Sequence, residues 1–277
     1  MNKYCRMILL SLLIFVQIAL LGTCLSCSKP PAGILALNHP ESVVYDRSHA
    51  RYLVSNVAGK NIIAIDKEGK LTLFSGDLAG PKGMTVKDNE VYVADVNSVR
   101  AFSLITGAQS WFLPLPDSKF LNDTAMDNSH YLFVSDMNDN CIYRIDVDTQ
   151  KYDIFRDGAL IKPNGLCYDV PNHRLIIVSQ RHRSPIQALD WDTQKLVMIK
   201  NTDLSGCDGI TRDISGNYFI TSWDAKGVFK YPSDFSGEPF LLKDGLKGPA
   251  DISYNPDSNK LAVPVMMENR IEFMETW

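Results

Sequence analysis

The sequence predicts an all-β fold, a six-bladed β-propeller, and three observations carry that expectation: an internal repeat of a little over 40 residues, strand-like runs within every repeat, and an incomplete last unit. Six related segments stand in one register: ESVVYD at 41, KGMTVK at 82, NDTAMD at 122, NGLCYD at 164, DGITRD at 208 and ADISYN at 250, spaced 41, 40, 42, 44 and 42 residues apart. A period of this length marks an architecture in which each unit buries its apolar faces against its neighbours.

Each first segment is followed by a second apolar run, RYLVSN, EVYVAD, YLFVSD, RLIIVSQ, NYFITSW or KLAVPVM. A third follows, NIIAID, SVRAFS, CIYRIDV, PIQALDW, GVFKYP or RIEFME, and five units add a fourth, LTLFS, QSWFL, KYDIF, LVMIK or PFLLK. The runs are rich in β-branched and aromatic residues and are bounded by Asp, Asn, Gly and Pro, as strands require. Four short antiparallel strands per repeat make a propeller blade. The sixth unit reaches Trp277 after three strands, and ILAL at 34–37, ahead of the first unit, is expected to supply the missing outer one. That N-terminal strand would complete the last blade and remove an open edge. Residues 28–277 therefore read as one propeller domain.

Residues 1–27 read as a lipoprotein-type signal peptide. Lys3 and Arg6 precede an apolar run from Met7 to Leu21, followed by small residues and cysteine in LLGTCLSC, which is the layout of an export signal. The run is shorter than the roughly 20 residues that span a hydrocarbon core. Cys24, with Leu21 three residues before it, is the favoured lipidation site, and Cys27, preceded by Ser26, is the alternative. The protein is expected in the bacterial cell envelope, in the periplasm or on the outer surface, held by a lipid anchor.

A net charge of −4 and a pI near 5.7 argue against a nucleic-acid surface. Only Cys141, Cys167 and Cys207 lie beyond the signal, an odd number without CxxC spacing, so buried free thiols are expected rather than a disulfide framework or a thiolate zinc site.

The first strand of a propeller blade lies innermost, so one register position forms a ring around the channel. The first position holds Glu41, Lys82, Asn122, Asn164, Asp208 and Ala250, and the next holds Ser42, Gly83, Asp123, Gly165, Gly209 and Asp251. Four of the six first positions are carboxylate or carboxamide residues. Buried unpaired carboxylates are costly, and a cation is the simplest way to neutralise them. An all-oxygen donor set suits Ca²⁺, whereas zinc favours histidine or thiolate, and none of the five histidines falls in the ring. The structural alternative is that Lys82 pairs with Glu41 or Asp123 while the asparagines tie down turns.

Glu41 in the first unit, Asn122 in FLNDTAMD, Asn164 in KPNGLCYD and Asp208 in CDGITRD, one blade apart, resemble the SMP-30/gluconolactonase/regucalcin-like family, within the superfamily that also holds diisopropylfluorophosphatase and paraoxonase. The resemblance implies a divalent metal, most often Ca²⁺ with Zn²⁺ and Mn²⁺ as alternatives, held by Glu41, Asn164 and Asp208. Asn122 would be a fourth ligand or a substrate contact. It implies metal-dependent hydrolysis of a small lactone or ester, with Asp208 and Asp123 as candidate proton acceptors. The chain departs from the family pattern at Phe120, where gluconolactonase-like members carry an arginine for the polyol, and at Lys82, which either repels the metal or binds a carboxylate or developing oxyanion. The repeats also resemble NHL repeats, with Asn56, Asp95 and Asp136 at strand ends. The alternative function is thus a non-catalytic propeller binding a protein or small ligand in the envelope. Trp111, Trp191 and Trp223 are read as packing between blades.

Overall fold

The computed structural model describes residues 35–277, whose strands form six antiparallel sheets. Five sheets contain four strands each, hydrogen-bonded in sequence order, and the sixth contains three. The innermost strands are Pro40–Asp46, Pro81–Lys87, Leu121–Met126, Pro163–Asp169, Cys207–Arg212 and Ser253–Asn255. The first five begin one residue before the repeat segments. Helical backbone among the described residues is limited to three 3₁₀ turns, at Arg47–His49, Val170–Asn172 and Met266–Glu268, and none of it is long and apolar enough to cross a membrane.

The core consists of six apolar clusters, each at the seam between two consecutive blades. Each sheet is therefore covered on both faces, which is why the second and third runs are near-continuously apolar rather than alternating. Trp111 packs at the seam of blades two and three, donating Nε1–H to the Val147 carbonyl at 3.0 Å. Trp191 packs between blades three and four. Cys141 and Cys207 are buried at two of these seams, where burial raises their thiols to about 12.

The seam that closes the ring, between blades six and one, has the smallest cluster, with only Val43, Val54, Ile65 and Ala262 as its fully enclosed members. Polar links reinforce it. Asp251 N–H donates to the Glu41 carbonyl at 3.0 Å and Ser42 Oγ donates to Asp251 Oδ2 at 2.6 Å. Farther out, Asn255 Nδ2 donates to Tyr52 Oη at 2.8 Å and Arg47 pairs with Asp257 at 2.8 Å.

ILAL does not supply the outer strand of this seam. Ile34 lies outside the described residues, and Leu35–Leu37 take no strand conformation. Ala36 and Asn38 are tied to the Asn56 side chain at the channel end of blade one. Leu37 instead matches Leu78, Leu160, Leu204 and Leu246, each three residues before the inner end of a blade and each anchoring a loop at a seam. A repeated leucine in a connecting loop therefore imitated one strand of a blade. The expected signal, with Cys24 and Cys27, also lies outside the described residues.

Candidate active site at the channel mouth

The ring residues stand where the sheets are deliberately irregular. At the mouth end of the first five inner strands the pairing register slips by one residue. In blade four, for example, Asn164 and Gly165 lie between the pairs Pro163–Ser179 and Leu166–Ile177 and face the single residue Val178. A bulge of this kind bends the strand and re-aims its side chains. Here it takes Glu41, Lys82, Asn122, Asn164 and Asp208 off the regular alternation at the mouth.

A bulge also strands a backbone amide, and hydroxyls on the adjoining strand take it up. Ser55 Oγ accepts from Ser42 N–H at 2.8 Å, Ser135 Oγ from Asp123 N–H at 2.9 Å, and Thr221 Oγ1 from Gly209 N–H at 2.8 Å. Ser135 and Thr221 then donate to the carbonyls of Asn164 and Ala250 in the next blade, at 2.9 and 2.8 Å. Leaving a buried donor or acceptor unpaired costs about 1–3 kcal/mol. Ser135→Ala, which strands one of each, should therefore lower unfolding free energy by about that amount or more in a denaturant titration, and an unchanged midpoint would remove Ser135 from this role.

Glycine at the second ring position follows from close approach of the next blade. A Cβ on Gly83 would lie 2.4 Å from Asp123 Cα, and one on Gly209 would lie 2.5 Å from Asp251 Cα.

Glu41, Asn122, Asn164 and Asp208 are all buried, at 4, 6, 2 and 8 % exposure. Glu41 Oε2 and Asn164 Oδ1 have no hydrogen-bond partner at all. Asn164 directs its Nδ2 toward Gln180 Oε1 at 3.1 Å, and Asn122 directs its Nδ2 toward Met137 Sδ at 3.9 Å. Both amino groups thus reach the loop that follows the second strand of their own blade, as the turn-tying alternative expects, while Asn164 Oδ1 stays buried without a partner. Asp208 Oδ2 accepts from Trp223 Nε1–H at 2.6 Å.

Burial raises the Glu41 carboxyl well above its ordinary value; Lys82 opposes the rise, and Asp208 and Asp251 add to it. Burial likewise raises Asp208 to about 7 against the lowering effects of Trp223, Lys82 and Asn164. These carboxyls are thus short of positive charge. Lys82 does not supply it by direct pairing, since it enters no salt bridge among the described residues; its ammonium lies 4.6 Å from the centroid of the Phe120 ring.

One layer deeper, Asp123 and Asp251 come from opposite blades of the ring. Asp123 accepts from the Thr124 and Leu166 amides, both at 2.7 Å. Asp251 accepts from the Ile252 amide at 2.7 Å and from Ser42. Burial raises both carboxyls, Asp251 to about 7. They border a cavity of about 200 Å³ lined by later residues of the inner strands, including Val44, Thr85, Cys167 and Thr211. The first-position ring does not line that cavity, so the Asp123–Asp251 layer separates it from the mouth.

Reading the inner strands found the ring but missed its supports. Met137, Gln180 and Trp223 occupy the position just past the second strand of blades three, four and five. Trp223 packs as expected, its ring against Gly248 in the loop that leads into the last blade, and its indole N–H also holds a ring carboxylate. The repeats could have shown this, since the same position recurs as Val57, Val96 and Met266. Replacing Trp223 with Phe keeps an aromatic ring and removes the donor. The Asp208 carboxyl should then rise further, which carboxyl chemical shifts followed through a pH titration would detect.

Asn56, Asp95 and Asp136 turn inward as loop caps. Asp95 accepts from the Ala79 and Gly80 amides and Asp136 from those of Lys119 and Phe120, while Asn56 Oδ1 accepts from Asn38. Two further acidic groups lie close enough to share an ion, His130–Asp146–Asp148 and Asp136–Asp139–Cys141. In the second, Asp136 is occupied by backbone amides, Asp139 pairs with Arg156, and the Cys141 thiol is held protonated by burial. In the first, Asp146 caps the turn at Asp148 and Thr149.

Fold and site together define a six-bladed β-propeller with a buried cluster of carboxylate and carboxamide side chains at the mouth of its channel. The chain belongs to the SMP-30/gluconolactonase/LRE-like family, whose model matches residues 39–238. The solved gluconolactonase from Xanthomonas campestris superposes with a TM-score of 0.71 at 13% identity, over 83% of this chain and 84% of that one. The calcium-binding regucalcin from Agrobacterium tumefaciens gives 0.69 at 17%, over 83% and 82%. Virginiamycin B lyase from Staphylococcus aureus gives 0.64 at 16%, over 87% of each chain. No curated protein matches by sequence.

Proposed function

We propose that this propeller is a metal-dependent hydrolase of a small lactone or ester, with a divalent cation, Ca²⁺ first and Zn²⁺ or Mn²⁺ as alternatives, held by Glu41, Asn122, Asn164 and Asp208. The observation that carries the reading is the pair of orphaned oxygens, Glu41 Oε2 and Asn164 Oδ1, beside carboxyls that burial has deprived of compensating charge. Oxygen donors of this kind match a hard cation. Bound there, the cation supplies Lewis-acid polarisation of a carbonyl and a lowered pKa for an attacking water.

The chain's own residues do the rest. Gln180 orients Asn164 and Trp223 orients Asp208, so the donors are set before any ligand arrives. Of the two candidate proton acceptors, Asp208 stands in the mouth with one oxygen tied to Trp223. Asp123 has both oxygens occupied by amides in the deeper layer, where it holds the floor. The family membership supports the reading. Export and lipid tethering through Cys24 or Cys27 belong to the proposal on sequence grounds alone.

The test is an ester and lactone screen of the metal-loaded protein alongside Asp208→Ala. Hydrolysis that disappears together with metal binding in the variant supports the assignment, whereas an active, metal-replete Asp208→Ala protein removes it.

A further inference from the structure

Resting on the hydrolase reading, the residues above the ring define a substrate class for that site. Lys82 is the one basic residue among the ring positions, and its ammonium lies against Phe120 rather than on Glu41 or Asp208. Contact with an aromatic face attracts the ammonium but satisfies none of its three N–H donors as a hydrogen bond. A divalent cation among the donors would further repel Lys82 from the ring and leave its donors for another anion.

The walls beside it are apolar. Phe120 stands next to Lys82, the Met137 sulfur meets the Asn122 amide, and the Trp223 ring meets Asp208 through its N–H edge. Val96 and Met267, in the equivalent loops of blades two and six, are 49 and 59 % exposed. Gln180 is the polar exception in this tier, and its Oε1 is engaged by Asn164. A polyol would leave its hydroxyls unmatched against such walls, which is costly for buried polar groups. An apolar body would not.

We propose that the mouth accepts an ester or lactone bearing one anionic group, which pairs with Lys82, on an apolar body that lies against Phe120, Met137 and Trp223. Hydrolysis then joins the water oxygen to the acyl carbon and breaks the acyl carbon–oxygen bond. One water proton goes to the leaving alcohol oxygen, the other is released to solvent as the new carboxylic acid ionises, and the acyl product carries a carboxylate.

Binding of 4-phenylbutyrate, 4-phenylbutan-1-ol and gluconate to the Ca²⁺-treated protein tests this without any need for turnover, with Ca²⁺ binding measured by calorimetry on the same samples. Phenylbutyrate is expected to bind at least tenfold more tightly than either the neutral alcohol or the polyol anion. Lys82→Met, which keeps the side-chain stem on Phe120, should weaken phenylbutyrate at least tenfold and leave phenylbutanol unchanged, and Lys82→Arg should restore it. Equal binding of phenylbutyrate by wild type and Lys82→Met overturns the inference, as does preference for gluconate. If Ca²⁺ binds while the Lys82 effect is missing, the anion site alone falls. If phenylbutyrate depends on Lys82 but no cation binds, the hydrolase reading falls and the anion site stands.

Discussion

Ca²⁺ added to the metal-free protein is expected to raise its melting temperature by about 5–10 °C, and Asp208→Asn to abolish the rise. A ligand that binds only the folded state adds about 2.7 kcal/mol at 100 times its dissociation constant. For a domain of this size 1 kcal/mol corresponds to about 2–4 °C. Asparagine keeps an oxygen for Trp223 Nε1–H, so the variant loses a charge rather than a hydrogen bond. Because burial has already raised the Asp208 carboxyl to about 7, removing it should leave the metal-free protein at neutral pH as stable as before or more so. A purely structural carboxylate would behave in the opposite way, with Asp208→Asn melting lower and Ca²⁺ having no effect on either protein.

The second large effect is a pH dependence of stability without metal. Asp208 and Asp251 are raised from 3.8 to about 7, and Glu41 and Asp123 are raised as well. Between the unfolded and folded values the native state therefore binds more protons than the unfolded chain, and stability falls as pH rises. Their contribution is fully present below about pH 4 and is lost as pH passes through about 7. The metal-free protein should accordingly melt at a lower temperature at pH 8 than at pH 5.5, other groups being equal. Saturating Ca²⁺ should narrow the gap, because a bound cation favours the ionised carboxylates. Calorimetric scans at the two pH values check this. A metal-free protein that gains stability between pH 5.5 and 8 would show that these four carboxyls do not govern the window.

Most of this architecture was legible because a propeller writes its fold as repetition. The six inner segments gave the blade count, the strand starts and the ring, since the chain places equivalent residues at equivalent depths. Where the reading failed, it failed through the same repetition. Leu37 looked like part of a strand because it is apolar, yet it is one of a series of loop leucines, with Leu78, Leu160, Leu204 and Leu246 as its equivalents. Trp223 looked like packing because Trp111 and Trp191 are packing. It does pack, against Gly248 in the next blade's loop, but its indole N–H also reaches a carboxylate one strand away, beside the bulge at Asp208 and Gly209. The bulges themselves were not readable, because pairing register is a property of two strands together. The sequence offers Glu41 or Asp123 as a partner for Lys82; among the described residues it makes neither salt bridge, and its ammonium lies over Phe120.

The central claim, that the mouth cluster is a divalent-metal site, is met most directly by terbium luminescence. Tb³⁺ takes the same oxygen ligands as Ca²⁺ and emits strongly when a neighbouring indole absorbs for it, and Trp223 is hydrogen-bonded to a proposed ligand. Excitation of the tryptophan band should give sensitised Tb³⁺ emission that Ca²⁺ competes away and that both Asp208→Asn and Trp223→Phe lose. Emission that is absent, or that persists undiminished in Asp208→Asn, would contradict the assignment of the site.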